Sequence, residues 1–165
     1  PKEIIMNNLI RSTLLALTCS LPVIVTAEAT GDAKITELIT VDTAFNEMAQ
    51  TIGIPEAFAY YLHKDALNLN GGYDGVPGAE VVAVYKQRRE TLQMKWWPIA
   101  SEIAASSDLG YTWGRFIEHV NHDDGTVEEI RGKYITIWKK NTEGEWKSLT
   151  DMGSIDDKPT PSADE

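Results

Sequence analysis

The run from Asp108 to Asp151 leaves this chain little choice of architecture. It begins DLGYTWGRF, crosses a turn rich in Asp and Gly, continues RGKYITIWKK, turns again at NTEGE and closes on WKSLTD. Turn residues between β-favouring runs predict three strands, over Leu109–Val120, Glu129–Lys140 and Trp146–Ile155. The turns fall at 121–125 and 141–144. Connections this short make the strands antiparallel. One face of such a sheet must be covered, and the preceding residues have to supply the cover.

They have the pattern for it. From Thr36 to Thr51 the apolar residues Leu38, Val41, Phe45, Met48, Ala49 and Ile52 recur at intervals of three and four, which predicts an amphipathic helix ended by Gly53. Thr30 to Ile35 reads as a flexible start. Pro55 and Glu56 suit the first turn of a second helix, running to about Lys64. Asp65 to Asn70 reads as a short strand and 71–78 as a loop. Glu80 to Arg89 is helical again, and Leu92 to Trp97 looks like a strand stopped by Pro98. Helices come first and strands are consecutive, so the class is α+β.

The first residues read differently. Met6 opens a short segment with Arg11 as its one positive charge, followed by an apolar run from Ser12 to Val25 and small residues at Ala27 and Ala29. That is the pattern of a cleavable signal peptide over Met6–Ala29, cut after Ala29 or alternatively after Ala27, with residues 1–5 upstream of it. It implies a periplasmic or secreted domain over 30–155. Cys19 is the only cysteine, so the mature domain has no disulfide and no thiol ligand or nucleophile. The last stretch, 156–165, is acidic, holds Pro159 and Pro161, and is expected to be a disordered tail. Twenty-five acids against 15 bases give a net charge of −10, which excludes nucleic acid and anionic lipid as electrostatic partners. No membrane partner is expected once the leader is removed.

Several residues are candidates for chemistry. His63 and Asp65 sit where the second helix gives way to the first strand and could act as base and orienting acid. Asp151 lies, by simple alternation, on the face opposite Trp146, and a carboxylate in an apolar pocket would serve as acid or base. Tyr61, Trp97, Tyr111, Trp113, Tyr134 and Trp138 are either an aromatic wall for an apolar ligand or core and dimer contacts. Of the adjacent Trp96 and Trp97, one must face away from the core. His119, His122, Asp123 and Asp124 surround a hairpin tip, where turn geometry explains them better than a metal. Lys86, Arg88 and Arg89 read as a solvated helix end. No phosphate-binding glycine loop is present, and no cofactor or metal is expected.

Trp97-Pro98 with Ile103-Ala104, Asp108-Leu109-Gly110-Tyr111-Thr112 with Gly114, Gly132-Lys133-Tyr134 with Trp138, and Gly144 with Trp146-Lys147 and Asp151 together carry a resemblance. Over roughly Ile35 to Ile155 the chain resembles the nuclear-transport-factor-2-like superfamily, which includes ketosteroid isomerase and the SnoaL-like cyclases. The resemblance implies a cone, a curved antiparallel sheet wrapped around three N-terminal helices, with a pocket at its wide end. It also implies a homodimer through the outer sheet face. Against ketosteroid isomerase, Asn70 stands where the general base would be and Phe45 where the oxyanion tyrosine would be. Asn cannot take a proton as a carboxylate does and Phe cannot donate a hydrogen bond, which argues against that mechanism here. What remains is a small-molecule-binding domain with an apolar pocket. The alternative is an enzyme moving protons on a lipophilic substrate through His63, Asp65 or Asp151.

Overall fold

The computed structural model of the chain describes residues 31–70 and 73–156, with side chains from residue 37 onward. The expected leader, Cys19 and all of the acidic tail beyond Asp156 lie outside the described residues.

The first helix, α1, runs Gly31–Ile52, starting earlier than the apolar stripe suggested. Its buried face is Leu38, Asp42, Phe45 and Ala49, successive turns of one helical stripe. Gly53, at φ 115°, breaks the helix, and α2 follows at once over Ile54–Tyr61 with Pro55 in its first turn. α2 buries Ala57, Phe58 and Tyr61 against α1. It stops three residues sooner than the sequence suggests, because Leu62 turns to extended backbone and opens strand β1, Leu62–Asn68. A two-residue strand, β2 (Val76–Pro77), leads into α3, Gly78–Gln87.

The long strands are β3 (Leu92–Ile103), β4 (Leu109–Asn121), β5 (Val127–Lys140) and β6 (Trp146–Ile155). They confirm the three predicted strands to within two residues at the ends. Pro98 does not stop β3. It is tolerated because β3 is the edge of the sheet, where a missing N–H costs no ladder bond, and the register shifts by one between Pro98 and Ala100. The sheet order is β2-β1-β6-β5-β4-β3. All pairs are antiparallel except β1 with β6, which run parallel. The result is α+β, a curved, mostly antiparallel sheet folded over three helices.

Two features of this sheet shape the interior. In register across β3 to β6 stand Pro98, Gly114, Tyr134 and Gly153, so the Tyr134 ring is flanked by glycines on both neighbouring strands. A Cβ on Gly114 would lie 2.1 Å from the Trp97 carbonyl oxygen and 2.7 Å from the Tyr134 ring, so only glycine fits there. The second feature is a bulge in β6. Trp138 pairs with Ser148 and Ile137 with Thr150, leaving Leu149 as the extra residue. Trp146 and Ser148 therefore point inward on one side of the bulge, and Asp151 on the other. Simple alternation had placed Trp146 and Asp151 on opposite faces, and the bulge puts both inside.

The core is strongly aromatic. The Phe45 ring lies 4.8 Å from Phe58, 4.7 Å from Tyr61 and 4.8 Å from Trp96, centroid to centroid. Such edge and tilted contacts add to plain area burial. Trp96 is the inward member of the tryptophan pair, and Trp97 is exposed.

Candidate functional site

Between the helices and the concave face of the sheet lies a cavity of about 250 Å³. Its apolar wall is built from Phe45 on α1, Phe58 on α2, Tyr85 on α3, Trp96 on β3, Phe116 on β4 and Tyr134 on β5, with Met94 and Ile130 between them. Asn70, Arg88, Glu118, Thr136 and Asp151 supply the polar groups.

Asp151 is the most constrained of these. Its Oδ2 accepts from the amide groups of Asn68 at 3.2 Å and Asn70 at 3.3 Å, and its Oδ1 accepts from the Thr136 hydroxyl at 3.0 Å. The parallel pairing of β1 with β6 sets Asn68 directly beside Asp151. Asn70 is held in turn by the Gly153 amide, which donates to its Oδ1. Burial pushes the Asp151 carboxyl up to about 6, against the three hydrogen bonds that favour its charged form, and the nearby Asp42 adds to the rise.

Asp42 lies behind the cavity wall, fully buried. The Trp96 indole N–H donates to its Oδ1 at 2.9 Å and the Tyr134 hydroxyl to its Oδ2 at 2.7 Å. It thus fixes two of the rings that form the wall. Burial raises its carboxyl above the usual range, opposed by the donors around it. Burial also raises Tyr134, helped by the charge of Asp42, so this phenol keeps its proton.

Three polar groups on the wall stand apart from these networks. Among the described residues, the Tyr85 hydroxyl, the Arg88 guanidinium and the Glu118 carboxylate have no hydrogen-bonding side-chain partner. Desolvation raises both Tyr85 and Glu118 above their usual ranges, and Arg88 partly offsets the effect on Glu118. Arg88 is therefore more than a solvated helix end, since it lines the cavity half-buried. Arg89 instead pairs with Glu56.

The expected site residues scatter. His63 is buried on β1 and accepts the Asp65 backbone N–H on Nδ1 at 3.2 Å. Asp65 is exposed and bonded to Lys64 at 2.7 Å, which holds its carboxyl below the usual range. Neither lines the cavity that Asp151 faces, so the three do not form one catalytic group. Of the six aromatics, only Tyr134 lines the cavity. Tyr61 and Trp138 are buried in the core, Trp138 donating to the Thr112 hydroxyl at 2.8 Å. Trp97, Tyr111 and Trp113 are on the outer face, because Gly110, Thr112, Gly114 and Phe116 take the inward positions of β4. At the β4–β5 tip, Asp124 accepts from the Thr126 amide at 2.9 Å, closing the turn. His119 and His122 pair with Glu129 and Glu128 across the hairpin. Among the described residues no three His, Asp or Glu side chains converge as metal ligands.

Among the described residues, a curved six-stranded sheet is folded over three helices around an interior cavity, which is the nuclear transport factor 2-like fold. Solved structures bear this out. The chain is 17% identical to a ketosteroid isomerase-like protein from Erwinia carotovora atroseptica, with a TM-score of 0.59 over 74% of this chain and 96% of that one. It is 10% identical to a nuclear transport factor 2-like superfamily protein from Salmonella enterica serovar Typhimurium, with a TM-score of 0.58 over 78% and 94%. It is 11% identical to the association domain of C. elegans CaMKII, with a TM-score of 0.54 over 72% and 93%. At these identities the likeness is one of fold. No family model and no curated protein matches the chain.

Proposed function

We propose that this chain is an exported binding domain for a small, partly apolar molecule, seated in the cavity with its polar end toward Asp151. The observation that carries the reading is an aromatic-walled cavity with one oriented carboxyl on its wall. Ligand sites of this kind are mostly apolar with a few placed polar groups. A second reading is an enzyme of the isomerase, dehydratase or hydrolase type, in which Asp151 moves a proton on a lipophilic substrate. It is favoured by the carboxyl raised to about 6, close enough to neutrality to take up a proton and return it. The two readings part on whether a bound molecule leaves unchanged or converted.

The outer sheet face supports self-association. Ala100, Trp113, Ile135 and Met152 stand in register across four strands, with Trp97, Ile99 and Tyr111 exposed beside them. An apolar patch of this kind on a water-facing sheet marks a contact surface, and one relative in fold is itself an association domain. We read it as the interface of a homodimer. A Trp113→Glu variant is expected to be monomeric by light scattering where the wild type is dimeric. A monomeric wild type removes the reading.

Native mass spectrometry of protein taken from the exported fraction tests the whole proposal. The expected species begins at Thr30 and retains a small molecule that an Ile130→Trp variant, its cavity filled by the larger ring, fails to retain. Both proteins appearing at their bare polypeptide masses, with nothing retained by the wild type, would sink the binding reading. A chain retaining Met6–Ala29 would sink the export reading.

A further inference from the structure

We infer that the ligand of this cavity carries an organic ammonium group, held against the aromatic rings with Asp151 as its counter-charge. The inference rests on the reading of the cavity as a binding site and adds the ligand's chemical class.

Three observations converge on it. Six rings from five elements and α3 face one space of about 250 Å³, and the face of an aromatic ring attracts a cation. Asp151 accepts three hydrogen bonds, all from neutral donors, and among the described residues no Lys, Arg or His pairs with it. A carboxylate kept in an apolar wall without a cation is costly, and an incoming cation relieves that cost.

The remaining charges around it point the same way. From α1 comes Asp42, from α3 Tyr85, from just past its end Arg88, from β4 Glu118, and from β5 Tyr134, whereas β1 contributes only the amide of Asn68. Arg88 is the one cation among the lining residues, and its charge acts on Glu118. The charge of Asp151 is therefore left uncompensated. A neutral ligand would leave it so, and an anionic one would add to it. The net charge of −10 on the whole chain also draws cations toward it.

Three probes of nearly equal shape separate the possibilities by titration calorimetry: 2-phenylethylamine, 2-phenylethanol and phenylacetate. At about pH 7.5 the amine is expected to bind about tenfold tighter than the alcohol, and phenylacetate weakest. At about pH 4.5, where Asp151 carries a proton, the advantage of the amine over the alcohol is expected to shrink severalfold. In Asp151→Asn the amine-to-alcohol affinity ratio is expected to fall to about one at either pH. An alcohol that binds as tightly as the amine to the wild type overturns the ammonium inference while leaving the binding site standing. Phenylacetate binding tightest also overturns it and makes Arg88 the anchor. If none of the three binds, the binding reading fails and this inference with it.

Discussion

Replacing Asp42 with Ala is expected to lower the unfolding free energy by about 3 kcal/mol, and the melting temperature by about 10 °C. The carboxylate is fully buried and is the acceptor for both the Trp96 indole and the Tyr134 hydroxyl. Ala leaves both donors buried without a partner, at about 1–3 kcal/mol each. It also leaves a hole at the centre of the α1 stripe. Against this, the charge no longer has to be buried, which offsets part of the loss. Asn is expected to cost less, about 1 kcal/mol, because its carbonyl still accepts from one donor and the Tyr134 hydroxyl can turn to accept from its amide. Urea denaturation of the three proteins at neutral pH reads the order directly. An Ala variant within 1 kcal/mol of the wild type would mean that Asp42 does not hold the wall. Because Trp96 and Tyr134 line the cavity, the Ala variant is also expected to lose ligand retention ahead of global unfolding.

Asp42 was visible in the sequence in a way that apolar periodicity conceals. It falls four residues after Leu38 and three before Phe45, inside the very stripe that announces α1. Counting only apolar residues passes over an acid at a core position, and such an acid must be satisfied by partners from elsewhere. The three hairpin strands were legible because alternation and turn chemistry are local. The parallel contact of β1 with β6 was not, since it joins Asn68 to Asp151 across 83 residues and depends on how the sheet closes. The Leu149 bulge was equally hidden, because a bulge is defined by the partner strand's register. Asp151 was singled out as a cavity acid, and it does face the cavity, yet the alternation used to place it would have sent Trp146 outside. The outer-face tryptophans show the same limit. Trp97 and Trp113 have core-like composition, but strand parity sends them to the outer face of the sheet.

Substituting Asn for Asp151 is expected to raise stability at neutral pH and to remove this carboxyl's share of its dependence on pH. The folded carboxyl titrates at about 6, above its ordinary value of 3.8, so between these values the folded chain holds a proton that the unfolded chain has released. Protonation therefore favours the fold. The contribution of Asp151 to stability is expected to fall as pH rises from about 4 to about 6, and to level off above that. The span is on the order of 2–3 kcal/mol. Asn removes the charge but not the bonds. Its carbonyl can accept from Asn68 and Asn70 where Oδ2 did, and its amide can donate to the Thr136 hydroxyl, which is able to accept. The variant should thus gain most of that span at pH 7 and lose the Asp151 share of the slope across the acid window. What remains is set by Asp42 and Glu118, which are raised, against exposed carboxylates such as Asp65 and Glu129, which are lowered. Denaturation midpoints of both proteins at a series of pH values measure the difference. An advantage of the Asn variant over the wild type that fails to grow from pH 4 to pH 6 would remove the argument. If the expected trade is found, the chain keeps a carboxylate that weakens its own fold at neutral pH. A charge held at such a cost on a cavity wall is the mark of a functional group.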